Sequence, residues 1–279
     1  MTFIVILIAL LIERFFDWSH LRYWQAYLVF QRKLIKVMPH LSPYLILFFS
    51  VAPLLIVVVL INYIIQGWFY GFIKLLFEII ILLYCLGPRN LWADAFACIN
   101  ALTQGDANFA EEKLRASFGI TDIQHRQSVH QQLVSKIFIE GNCRVFAVLF
   151  WFIILGPMGA LLYRSILLTS TDSLKDQEIA ELSQSASLTE ALLDWLPVRL
   201  FAFLFALGGH FVQVFACFRN KTWLFLTRNH SLVAECGIAS LGYHDNLPVD
   251  GSAERHAISL LDRTFIIMLA IIAMMAWLI

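Results

Sequence analysis

The chain has 279 residues, of which 60% are hydrophobic and only 14% charged, and its mean hydropathy is +0.75. Soluble domains carry roughly 25% charged residues, so this composition excludes an ordinary water-soluble fold and implies a lipid bilayer as the main partner. Twenty basic residues cancel twenty acidic ones, which leaves no electrostatic footprint for nucleic acid.

Six apolar segments follow one another along the chain: Thr2–Phe16, Tyr44–Ile65, Trp68–Leu86, Val145–Leu168, Val198–Phe218 and Thr264–Ile279. In lipid every backbone polar group must be satisfied internally, so such segments predict helices and an all-α, polytopic membrane bundle. The first segment has neither a basic flank before it nor a small-x-small cleavage site after it, and reads as a retained span. Gln66-Gly67 leaves almost no loop between the second and third, which predicts a tight helical hairpin. Lys74 and Glu78 inside the third are four apart and predict a pair on one helix face.

Residues 87–144 are more polar and carry helix punctuation. Gly105 and Gly119 are stop signals; Asn108 with Glu111 and Thr121 with Gln124 have the spacing of capping boxes. Ser187 with Glu190 has the same spacing and predicts a helix start that feeds "ALLDWLPVRL". Three parts result: N-terminal spans at 1–86, a helical cytoplasmic region at 87–144, and C-terminal spans with broken helices at 145–279. Basic residues concentrate in 13–43, 87–144 and 219–263, whereas 169–193 holds one lysine among five acidic residues. By the positive-inside rule the first three stretches are cytoplasmic and both termini external.

"LFWFIILGPMGALLYR" is interrupted by Gly156-Pro157-Met158-Gly159. Proline removes a helix hydrogen bond. Two readings fit: a packing kink in one span, or a turn-back whose half-helix ends line a polar pocket. Glu140, Asn142 and Arg144 stand just before this segment; a carboxylate and an amide there would hold a polar ligand, or Arg144 would simply snorkel to headgroups. Tyr163 and Arg164 close the segment and Asp172 follows. Asp194 and Arg199 flank Pro197, which is expected to break a helix between them, and Arg199 is either a bidentate anion clamp or the partner of a buried Asp194. Glu140, Asn142, Tyr163, Arg164, Asp172, Asp194 and Arg199 are thus the candidate ligand-binding residues. A helix unbroken from Glu140 to Arg164 would separate its ends by roughly 36 Å, so a common site requires the segment to turn back near Gly156-Pro157 or to lie deep and tilted. Five scattered cysteines without Cys-x-x-Cys, and eight histidines without His-Glu-x-x-His, give no metal ligand set, and no nucleotide-loop or hydrolase motif gives a catalytic residue.

Four stretches in this order, "ALTQGDANFAEEKL", "IEGNCRVFAVLFWF", "GPMGALLYR" and "LDWLPVRLFAFLFAL", resemble the AmpE family within the CobD/CbiB superfamily of membrane proteins. "ERFFDW" near the start and "DWLPVRL" are similar to the AmpE branch. That resemblance implies a multi-pass bacterial inner-membrane accessory protein, associated with β-lactamase induction and cell-wall recycling. It further implies a small cell-wall fragment or a nucleotide as partner, no cofactor, and room for an oligomer. The cobalamin branch implies an alternative: an amide-forming ligase that joins an amino-alcohol phosphate to a corrinoid carboxylate with ATP and Mg2+. Its "NTLDSM" motif is here "LTSTDSL", and its aspartate–proline and histidine–proline signature is replaced by "ERFFDWSHLRYW". A ligand-free structural membrane partner is the third reading.

Overall fold

The computed structural model describes residues 2–15, 24–38, 40–65, 71–87, 90–104, 107–120, 126–171, 177–221, 228–243 and 247–278. Among them all regular structure is helical, as the apolar runs require. The chain divides into two compact units: Met1–Pro88 with Ala147–Trp195, and Arg89–Phe146 with Leu196–Ile279. Among the described residues four helices are long and apolar enough to cross a bilayer: Pro43–Ile64, Ser128–Leu155, Ile179–Gly208 and Ser252–Leu278.

The first unit holds α1 (Thr2–Phe15), α2 (Gln25–Val37), α3 (Pro43–Ile64) and α4 (Phe72–Cys85). It also holds α8 (Ala147–Leu155), α9 (Pro157–Thr171) and the first part of α10 (Gln177–Gly208). At 14 residues each, α1 and α4 rise about 21 Å, short of the roughly 30 Å hydrocarbon layer. Two of the six expected spans therefore correspond to helices about a third too short to cross, packed against each other. Lys74 and Glu78 do pair along α4, at 3.9 Å. Ile35, Ile46, Leu47, Val51, Ile179, Leu182 and Ala186 form an apolar core under α2, α3 and α10. Beside it lies a polar knot of Tyr27, Gln31, Ser50 and Thr169, in which the Gln31 amide donates to the Thr169 hydroxyl at 3.0 Å. The hairpin expected at Gln66-Gly67 and the stop at Gly105 lie outside the described residues.

The break at Gly156 reverses the chain. α8 ends at Leu155, Gly156 takes a left-handed φ of +66°, and α9 starts with Pro157 at its first position. There the missing N–H costs nothing, because the first turn of a helix has no internal acceptor for it. α9 then packs back along α8, so closely at Gly159 that a Cβ would run into the Trp151 carbonyl. A residue eight positions earlier would lie about 12 Å away along a straight helix. The kink reading is therefore replaced by the turn-back, and Val145–Leu168 is not one span. Its first half completes the long helix 128–155 and its second half returns.

The second unit contains α5 (Leu91–Gln104), α6 (Ala107–Phe118) and α7 (Arg126–Gly141). It continues with a five-residue π turn (Asn142–Phe146), the end of α10, α11 (Phe211–Lys221), α12 (Asn229–Ser240) and α13 (Ser252–Leu278). α6 closes at Gly119 as its stop signal predicts. Phe138, Phe146, Phe201, Phe205 and Phe265 stack in its core, with Phe146 and Phe201 4.5 Å apart. His130 Nδ1 on α7 and Glu254 Oε1 on α13, both buried, are hydrogen-bonded near the helix starts. The expected span Val198–Phe218 is broken between Gly208 and Phe211. The His210 N–H donates to the Ser240 carbonyl at 3.1 Å, and the Ser240 hydroxyl to the Phe205 carbonyl at 3.1 Å. α12 thus satisfies the His210 N–H that the break frees.

Candidate functional site

Arg144 sits in the middle of the π turn, and all five residues of that turn are buried. A π turn widens the helix by one residue and re-aims the side chains that follow it, an arrangement common at functional sites. Here it turns the guanidinium inward rather than towards headgroups. Nε donates to Glu140 Oε2 at 2.7 Å, Nη1 to Asp94 Oδ2 at 3.0 Å, and Nη2 to the Ser117 carbonyl at 2.8 Å. The cation also lies 5.8 Å from the centre of the Phe118 ring. One side chain therefore ties the π turn to α5 through Asp94 and to the last turn of α6 through an otherwise orphaned helix-end carbonyl. Asn142 is fully buried in the same turn. Within this unit α12 adds two polar contacts: Cys143 Sγ lies 3.7 Å from His230 Nε2, and Arg199 Nη1 donates to Asn229 Oδ1 at 3.5 Å.

In the other unit, Tyr163 on α9 donates its hydroxyl to Asp194 Oδ1 on α10 at 2.9 Å, and both side chains are buried. Two turns along α9 and one turn back on α10, the Ser170 hydroxyl donates to Glu190, and Ser183 Oγ donates to the Ser170 carbonyl at 2.9 Å. α9 and α10 are thus zipped by hydroxyl–carboxylate pairs. Arg164 is buried on α9, and Asp172 lies outside the described residues.

Of the sequence-chosen residues, the structure pairs Glu140 with Arg144 and Tyr163 with Asp194, and gives Arg199 the α12 amide of Asn229. Two local expectations change. Ser187 and Glu190 do not open a helix, since α10 starts at Gln177 and runs through them. "EIAELSQSA" contains good helix formers and neither glycine nor proline, so nothing stops propagation upstream of the box. Pro197 likewise lies inside continuous α10 rather than ending it.

Magnesium–nucleotide chemistry would need carboxylate oxygens open to a cation. Arg144 occupies Oε2 of Glu140 and Oδ2 of Asp94, so a cation beside Asn142 would have to bind through the second oxygen of each carboxylate.

A family model described as "Regulatory signalling modulator protein AmpE" matches residues 1–278. The chain belongs to the AmpE family. This AmpE-family chain is also 29% identical over 189 residues to a "Cobalamin biosynthesis protein CobD" of Chromobacterium violaceum. That match covers 66% of this chain and 58% of the relative. A second protein so named, from Stutzerimonas stutzeri, is 29% identical over 167 residues, 59% of this chain and 55% of its own length. The match thus spans little more than half the length of these curated relatives. No solved structure matches the AmpE-family chain.

Asp94 and Ser117 are the members of the Arg144 cluster that sequence reasoning missed. Asp94 had a visible signal: it is the lone charge in "LWADAFACINAL", and a carboxylate on an otherwise apolar helix demands a buried partner. Ser117 contributes only its carbonyl and leaves no mark in the sequence.

Proposed function

We propose that this AmpE-family protein is a multi-pass inner-membrane modulator that links cell-wall fragments to β-lactamase induction, with Arg144 as its anion-responsive latch. The observation that carries this reading is the threefold engagement of one guanidinium, by Asp94, Glu140 and the Ser117 carbonyl. A guanidinium forks onto carboxylates and phosphates alike. An anionic fragment that draws on Arg144 releases the end of α6 and the Asp94 arm of α5 together. Binding energy at one side chain is thereby converted into movement of a helical pair, which is what a modulator without chemistry of its own requires. The family description of a regulatory signalling modulator supports the same direction.

The test is complementation in a bacterial host that induces β-lactamase and lacks its own copy of the gene. Wild-type chain restores induction by a β-lactam, whereas Glu140→Ala and Arg144→Met leave it altered although the protein reaches the membrane. Unchanged induction after deletion of the gene removes this reading.

The 29% identity to proteins of cobalamin biosynthesis favours one alternative, an amide-forming ligase. ATP-dependent joining of an amino-alcohol phosphate to a corrinoid by purified protein, lost in Glu140→Ala, would establish it.

A further inference from the structure

The Sγ atoms of Cys217 on α11 and Cys236 on α12 lie 3.3 Å apart, and both residues are reduced thiols. We propose that they form a redox-reactive dithiol that a small disulfide oxidises to an α11–α12 cross-link. This site is independent of the Arg144 latch and stands or falls by itself.

Three observations carry it. The sulfurs need to close by only about 1.3 Å to reach the roughly 2.05 Å of a disulfide. The two helices are already packed against each other and pinned near the far end of the pair by the His210–Ser240 backbone bond. A cross-link therefore orders little that is not already ordered. Burial is also asymmetric: Cys236 is fully buried, whereas Cys217 is half-buried. An oxidant from outside meets Cys217 first, and the fully buried Cys236 is placed to resolve the product.

The chemistry balances with a disulfide R–S–S–R as oxidant. The Cys217 thiol loses its proton and attacks one sulfur, forming a mixed disulfide and releasing one R–S⁻, which takes up that proton. Cys236 loses its proton and attacks the Cys217 sulfur, releasing the second R–SH. The two protein thiols are oxidised by two electrons and the oxidant is reduced to two thiols. The link fastens α12, the helix that carries Asn229 against Arg199 and His230 against Cys143.

Full-length protein in detergent micelles is treated with oxidised glutathione, quenched with maleimide and digested under non-reducing conditions for mass spectrometry. The expected result is one linked peptide pair, Cys217 with Cys236, which disappears on dithiothreitol treatment. It persists in a chain with Cys85, Cys98 and Cys143 replaced by serine, and it is lost in Cys217→Ser and in Cys236→Ser. Cys236→Ser should instead retain glutathione on Cys217. A stable glutathione adduct on wild-type Cys217 with no internal link, or a dominant link through Cys143, overturns the proposal. Because wild-type protein alone decides between these outcomes, misfolding of a variant does not blur the result.

Discussion

Arg144 directs a donor to each of Glu140, Asp94 and the Ser117 carbonyl. Removing one partner of a buried ionic cluster leaves uncompensated charge, at a cost of about 3 kcal/mol. Arg144→Met should lose close to that amount in unfolding followed by circular dichroism in micelles. Arg144→Lys should recover only part, because an ammonium cannot fork towards three acceptors. Tyr163→Phe removes one donor from the buried Asp194 carboxylate and should cost about 1–2 kcal/mol by the same measurement. Cys98 offers a pH test. Burial first, and then the Asp94 carboxylate, push its thiol up to about 12 from an ordinary 9.0, against the opposing pull of Lys113 and Arg144. A raised thiol binds its proton more tightly in the folded chain, so its contribution is complete below pH 9 and is lost as the pH rises from 9 towards 12. Iodoacetamide at pH 8 should leave Cys98 unmodified until the protein is denatured, and stability should decline above pH 9 less steeply in Cys98→Ala.

The informative element is the α8–α9 hairpin, where two residues of one motif do different work. Pro157 occupies the first position of α9, so Pro157→Ala should change stability by less than about 1 kcal/mol. A proline kink in a continuous helix would respond with a gain of about 3 kcal/mol. Gly159→Ala drives a methyl group into the Trp151 carbonyl, a backbone atom with little freedom to yield, and should cost about 1–3 kcal/mol. Thermal unfolding of the two variants side by side orders them, and a reversed order would contradict the turn-back. The same logic explains α10. A capping box marks a start only where something upstream prevents a helix, and residues 177–186 do nothing of the kind.

At the scale of the whole molecule, the exposed surface of α3, the most apolar of the candidate spans, is apolar, as lipid contact demands. α3 carries Phe48, Ile56, Val57 and Leu60 outward over its 22 residues. Val57→Lys near the middle of α3 should therefore cost about 3 kcal/mol in membrane insertion, read as a loss of protein from the membrane fraction. Lysine at exposed Val249, outside the candidate spans, should leave that fraction unchanged.

The sequence by itself determined the helical membrane class, the family, and the positions where polar residues interrupt apolar runs. Each of these depends on local composition and on motif order along the chain. It gave six apolar segments where the described residues hold four helices of spanning length, because hydropathy registers a short helix packed against neighbours in the same way as one that crosses. Only the tertiary structure decided that Gly156 reverses the chain, that Arg144 reaches Asp94 fifty positions away, and that Tyr163 reaches Asp194 thirty-one positions away. Those pairings are set by which helices pack together, and a buried charge takes whichever partner that packing brings within about 3 Å.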